Sequence, residues 1–270
     1  MKTMRWFLGT AAAGRRAWTV GALGLGMVAG CGTAGEPGAV GEPGGVGEQA
    51  AALTRRDCDN PNPVLFEKDA RPFGVSMETW AERNWRWLMS VPAERNPNVT
   101  VGADCREGQS GPVFFLPFVP PGADGIGSCT IPPHKLVALN LVSVFNDYPC
   151  PDPTFQPAPG QTLFDFLSTG SKEGLDAVAE IDASLDGQPL REVLSYRVAS
   201  DDLMYFKGDV SLQQPFDACI TGSRQAAAVD SYFMVFKPLP PGLHTVELRY
   251  VSTSGKITGP RTKSFTVLRD

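Results

Sequence analysis

Between Ser76 and Val91 (SMETWAERNWRWLMSV) apolar residues recur at spacings of three and four. Wound as a helix, the segment puts Met77, Trp80, Ala81, Trp85, Trp87, Leu88 and Met89 on one very broad arc, leaving Glu82, Arg83, Arg86 and Ser90 to the remainder. Ser76 is a natural N-cap, Glu78 sits favourably in the first turn, and Pro92 stops the helix. Three tryptophans sharing an arc with Met and Leu point to a helix buried on most of its circumference. The competing reading is an aromatic platform for sugar rings. Asn84 falls in the middle of the arc and, if buried, requires a hydrogen-bond partner.

From Gly111 the period changes. PVFFLPFV (112–119) reads as a buried strand with proline ends, followed by a Pro-Gly and Asp-Gly turn region at 120–127. Cys129–Ile131 and Lys135–Phe145 give further strands. The segment 150–160 is too rich in proline for either element, and 162–181 holds one or two short helices broken near Gly170. Beyond that the pattern is β. Asp186-Gly187 signals a hairpin. Short strands follow at 196–198, 203–206, 231–236 and 264–268, and residues 243–250 alternate in and out. Short strands separated by Pro/Gly turns predict a mainly β fold, an antiparallel β-sandwich with one buried N-terminal helix and minor helical insertions. The LPPGLHTVEL stretch resembles the late hairpin of immunoglobulin-like bacterial domains, which by analogy makes the C-terminal part immunoglobulin-like.

The front of the chain is of a different kind. Lys2, Arg5, Arg15 and Arg16 precede a short apolar run, Trp18–Val28, that ends in Ala29-Gly30-Cys31. The order is that of an export signal, and the run is shorter than the roughly 20 residues a transmembrane helix needs. Val28-Ala29-Gly30-Cys31 resembles the lipobox of bacterial lipoproteins. That resemblance implies cleavage before Cys31, lipidation of Cys31, and stable anchoring once more than one acyl chain is present. Gly32, in place of a retaining aspartate, favours the outer membrane. Arg15-Arg16 also permits twin-arginine export, although its flanks fit the ordinary secretory route better. Residues 1–30 are thus expected to be the signal peptide. Residues 31–56, with recurring G-E-P-G units, form a lipidated disordered tether reaching roughly 25–30 Å. Residues 57–270 form the folded envelope domain, with a possible sub-boundary at 150–180.

Charge and cysteine content narrow the partners. The chain of 270 residues carries a formal charge of −5. Basic clusters with interleaved aromatics are missing, which argues against nucleic acid. Of the six cysteines, five follow Cys31. An exported domain meets oxidising conditions, and the spacings lack the close pairs of a zinc site, so disulfides are expected and a metal is not. Cys105 and Cys129 bracket the strand at 113–119 and form the first expected pair. Cys150 and Cys219 form the second, and Cys58 is left over beside the tether.

The motifs W-x4-W-x-W-x4-P in the helix, Asn96-Pro97, GADC-x3-GQSGPVFFL (102–116), CTIP (129–132) and PLPPGLHT together resemble a group of exported bacterial proteins. The likeness spans most of 76–250 and brings no activity, cofactor or catalytic residue. His134 stands where the pattern would have glycine.

Chemistry is sparse. The two histidines, His134 and His244, lie near turns; no G-x-S-x-G elbow or phosphate-binding loop is present. Asp201 and Asp202 are strand neighbours that point to opposite faces. The sequence leans away from an enzyme and expects no cofactor. It favours a lipid-anchored envelope protein with a binding or structural role. Its partners would be the membrane, through the anchor, and an envelope protein or polysaccharide. The alternatives are a hydrolase acting on cell-wall or extracellular polymer, through a carboxylate or His134/His244 site, and a carbohydrate-binding module.

Overall fold

A computed structural model of the chain describes residues 60–117 and 129–270. The signal, Cys31, the tether, Cys58 and the 118–128 part of the first strand-and-turn unit lie outside the described residues. Among the described residues no helix is long and apolar enough to cross a membrane.

Helix α1 spans Met77–Ser90 and is capped as its sequence predicts: Ser76 Oγ accepts the Thr79 N–H at 3.4 Å, and Val91 is extended before Pro92. It buries Met77, Trp80, Ala81, Trp87, Leu88 and Met89. Each indole N–H has an acceptor: Trp80 the Pro72 carbonyl, Trp87 the Glu107 carbonyl, and Trp85 the Ser143 hydroxyl. Trp85 sits at the rim of the buried arc, partly exposed and stacked on Phe145 with ring centroids 4.7 Å apart. Asn84 is buried, and its Oδ1 accepts from Asn140 Nδ2, whose own Oδ1 accepts from Ser231 Oγ. Arg86 is not idle on the polar arc; it donates to the Tyr205 carbonyl and pairs with Glu82.

The strands are β1 (Val113–Phe115), β2 (Cys129–Ile131), β3 (Leu136–Tyr148), β4 (Val178–Leu185), β5 (Gln188–Pro189), β6 (Arg197–Ala199), β7 (Met204–Lys207), β8 (Arg224–Phe236), β9 (Gly242–Ser252) and β10 (Ile257–Val267). They form two sheets. The first runs β1-β3-β8-β6, with β7 also pairing to β8; the second runs β2-β10-β9-β4-β5. The long pairings, β3 with β8, β9 with β10 and β4 with β9, are antiparallel, as expected. The two short edge strands depart from this: β1 pairs parallel to β3 and β2 parallel to β10. β1 and β2 thus belong to different sheets. Asp186 and Gly187 both have positive φ in the β4–β5 turn, as a tight hairpin with two left-handed residues requires.

Two cores result. Between the sheets pack Phe114, Leu116, Val137, Leu139, Met234 and Phe236 of the first sheet and Ile181, Val246, Leu248 and Phe265 of the second. On the opposite face of the first sheet, Val113, Phe115, Val229, Phe233 and Val235 meet Met77, Trp80, Trp87 and Leu88 of α1. The fold is therefore two sheets with a helical layer outside one of them.

Two sequence expectations change. Residues 162–181 do not break at Gly170: α2 runs unbroken over Leu163–Asp176, capped by Thr162. At Gly170 the helix packs tightly on β3, since a Cβ there would lie 2.5 Å from Asn146 Nδ2. Its smallness serves close approach, not a bend. Strand β8 begins at Arg224 rather than 231. Ala226, Ala227 and Ala228 have low strand propensity, and their conformation is fixed by the ladders of β3 and β7 on either side.

Candidate functional site

The first sheet is left partly open where β6 ends and β7 has not begun, and α2 leans over this gap. Phe164, Ser168, Thr169 and Lys172 of α2 face Arg197, Ser200 and Asp230 across a cleft of about 470 Å³. Asp230 is a carboxylate in the middle of β8, flanked by Val229 and Ser231 and itself buried. Arg197, from β6, grips it in a fork: Nε to Oδ1 at 3.0 Å and Nη2 to Oδ2 at 2.6 Å. The same guanidinium reaches α2, with Nη1 on Asp176 Oδ1 at 2.7 Å and Nη2 on the Lys172 carbonyl at 3.3 Å. Lys172 pairs with Asp176 one turn along.

The electrostatics follow from this geometry. Hydrogen bonding to Asp230, opposed by burial, raises the Arg197 pKa. The bonds from Lys172 and Arg197 hold Asp176 below the usual carboxylate range. A forked Arg–carboxylate pair with one partner out of water is strong when complete and costly when halved. With its donors engaged, Arg197 works as a clamp joining α2, β6 and β8. The rest of the cleft lining is Thr169, the Phe164 ring and Ser168, whose hydroxyl donates to the Asp165 carbonyl at 3.5 Å. On the other side of the sheet edge, Ser200 Oγ donates to Glu82 Oε1 at 2.9 Å, which links the cleft wall to α1. Burial raises the Glu82 pKa against the bonds from Ser200 and Arg86.

The candidates from the sequence fall elsewhere. His244 is buried with both ring nitrogens engaged, Nδ1 with Asp186 Oδ2 at 2.7 Å and Nε2 with the Pro240 carbonyl at 2.8 Å. It ties the β4–β5 turn to the start of β9. His134 is exposed, 2.7 Å from Asp270. Its φ of 60 is the left-handed conformation that suits the glycine of the resembling pattern. Asp201 and Asp202 are exposed, and Asp202 accepts the next backbone N–H. The histidines and these carboxylates do not converge. Cysteines do: Cys105 is bonded to Cys129, joining the approach to β1 with β2, and Cys150 is bonded to Cys219.

Three features went unread in the sequence. One is the Arg197–Asp230 clamp, signalled only by an aspartate inside an apolar strand run. The second is a pair of acids, Asp147 buried and Asp217 half-buried, beside Cys219, whose sulfur is committed to its disulfide. The third is a pair of cations on the inner face of β10. Lys263 is opposite Val246 and Arg261 opposite Leu248, and burial lowers both pKa values. Lys263 has no hydrogen-bond or ion-pair partner among the described residues.

Fold and site together define a disulfide-braced, two-sheet domain with a helix-covered second core and a charged cleft at a sheet edge. No family model matches the chain, and no curated protein does. Among solved structures, it is similar to a mutant of the SrpA adhesin from Streptococcus sanguinis, at 10% identity and a TM-score of 0.18. That likeness covers 51% of this chain, which spans about half (53%) of the adhesin chain. At that score it carries no argument about fold or role.

Proposed function

We propose that the protein is exported and anchored by a lipidated Cys31, at the outer membrane, and that its folded domain has a binding or structural role in the cell envelope. The observation that carries this reading is the pair of disulfides, Cys105–Cys129 and Cys150–Cys219, since such bonds persist in oxidising compartments and are rare in the cytosol. The basic segment, apolar run and Val28-Ala29-Gly30-Cys31 order agree with it, as does a tether without aromatics. The hydrolase reading would want a histidine or carboxylate poised in an open cleft, whereas His244 is saturated and the cleft carboxylate Asp230 is locked to Arg197. The sugar-platform reading would want coplanar exposed rings, whereas Trp80 and Trp87 are buried. A binding role would use the cleft between α2 and β6.

Replacing Cys31 with Ser is the direct test. Radiolabelled fatty acid should no longer enter the protein, and the protein should move from the membrane to the soluble fraction. Continued labelling of the Ser variant would contradict the anchor.

A further inference from the structure

At the end of β3 the fold sets two carboxyl groups against each other. Asp147 is 2% exposed. Asp217 comes from the strap, residues 208–223, that joins β7 to β8. Carboxylate oxygens of the two lie within 4.8 Å of each other and of Cys219 Sγ. Two carboxyl groups this close, one of them out of water, favour a proton on one of them, since both charges together would repel. Neutral donors also serve the pair. Gln225 Nε2 gives to Asp147 Oδ2 at 3.2 Å and to the Cys219 carbonyl at 2.8 Å, and the Cys219 N–H gives to Asp217 Oδ1 at 2.9 Å.

The charged groups of the surrounding elements are engaged elsewhere or face away. On β8, Arg224 points to the face opposite Gln225 and lies 3.5 Å over the Tyr205 ring. Asp165, Lys172, Glu173 and Asp176 belong to α2, which meets β3 through Asn146, the neighbour on the other face. On α1, Glu78 is in the first turn, Glu82 pairs with Arg86, and Arg83 lies over Trp80. In the strap, Asp209 accepts from Ser211. Of these groups, Asp217 is the charge that acts on Asp147.

The strap itself is a cover. Leu212 and Ile220 are fully buried, Phe216 lies 6.2 Å from the Trp85 ring, and the Asp209 N–H bonds to the Met89 carbonyl at the end of α1. The Cys150–Cys219 bond starts three residues after Asp147 and ends two after Asp217. It therefore stops the acids from separating far when they repel.

We propose that Asp147 and Asp217 share one proton that latches the 208–223 strap onto the end of β3, and so holds it against α1, with the strap firm in acidic surroundings and loosening as pH rises while the disulfide keeps it tethered. Burial first, and the Asp217 charge second, push the Asp147 carboxyl up to about 8, whereas an unfolded aspartate titrates near 4. Between those values the folded chain keeps a proton that the unfolded chain has released. The contribution is therefore fully present below about pH 4 and is lost as pH rises through about 8. For one proton the folded-to-unfolded ratio falls about tenfold per pH unit within that window.

The test uses the full chain with its disulfides intact, in detergent if lipidated. Urea midpoints from pH 5 to 9, and exchange of the Cys219 and Thr221 amides corrected for intrinsic rates, are compared between wild type and Asp147→Asn. Wild type should lose stability across the window and lose protection in the strap, whereas Asp147→Asn, which keeps a donor but no titrating proton, should lose most of that slope. Carboxyl-carbon titration of the wild type serves if the variant does not fold. One carboxyl of the pair should stay protonated well above pH 5. Equal slopes in the two proteins, or both carboxyls titrating near pH 4, would overturn the latch.

Discussion

The two sheets come from one chain but are buried differently. The first is covered on both faces, by the second sheet and by α1, and β8 is buried at every position after Arg224. The second sheet is covered on one face. Along β9, His244, Val246, Leu248 and Tyr250 are buried while Leu243 and Glu247 are exposed. Alternation therefore reports a strand with one wet face, and an unbroken apolar run such as SYFMVF reports a strand sandwiched between two layers. The tryptophan helix is what makes the difference. Without it, one face of the first sheet would be a large exposed apolar surface.

The largest effect should come from breaking that second core. Trp80→Ala should lower stability by about 3–5 kcal/mol, read as a urea midpoint, since it empties a packed aromatic site and removes the indole bond to the Pro72 carbonyl. A domain of this size has only about 5–15 kcal/mol in total, so this variant should be readily digested. Removing Cys105 and Cys129 together, which unties β2 in the second sheet from the approach to β1 in the first, should cost about 3–4 kcal/mol. The midpoint shift of the double Ala variant measures it.

Arg197→Met should cost about 3 kcal/mol, because it leaves the Asp230 carboxylate buried without its partner. A double variant, Arg197→Met with Asp230→Asn, should recover part of that loss in the same denaturation experiment. Lys263→Met should go the other way, raising stability by about 1 kcal/mol: methylene packing is kept and an uncompensated buried charge is removed. Leu243→Ala, on the open face of the second sheet, should stay within about ±0.5 kcal/mol. A large loss there would mean that this face is covered.

What could be read from sequence follows the same divide. The α1 boundaries, the β4–β5 turn, the β9 alternation and the mainly β character were legible because each is a local pattern or a turn chemistry. The start of β8 was not, because Arg224–Asp230 carries three alanines and two charges and is a strand only through its neighbours. Gly170 misled for a related reason: its value lies in contact with Asn146, which is invisible along the chain. Of the candidate site, the Lys172–Asp176 pair is a readable helical spacing. Arg197, Asp230, Asp147 and Asp217 sit 33 and 70 residues apart in their pairs, and only the fold brings them together.

The central claim is that α1 and the first sheet form one core, with the second sheet's outer face free. Native-state hydrogen exchange across α1, β8 and β9 in increasing urea tests it most directly. The account predicts that α1 amides from Trp80 to Leu88 and β8 amides from Val229 to Val235 open together at the global unfolding free energy. Exchange of the α1 amides at low urea, while β8 stays protected, would show a helix merely resting on the sheet and would contradict it.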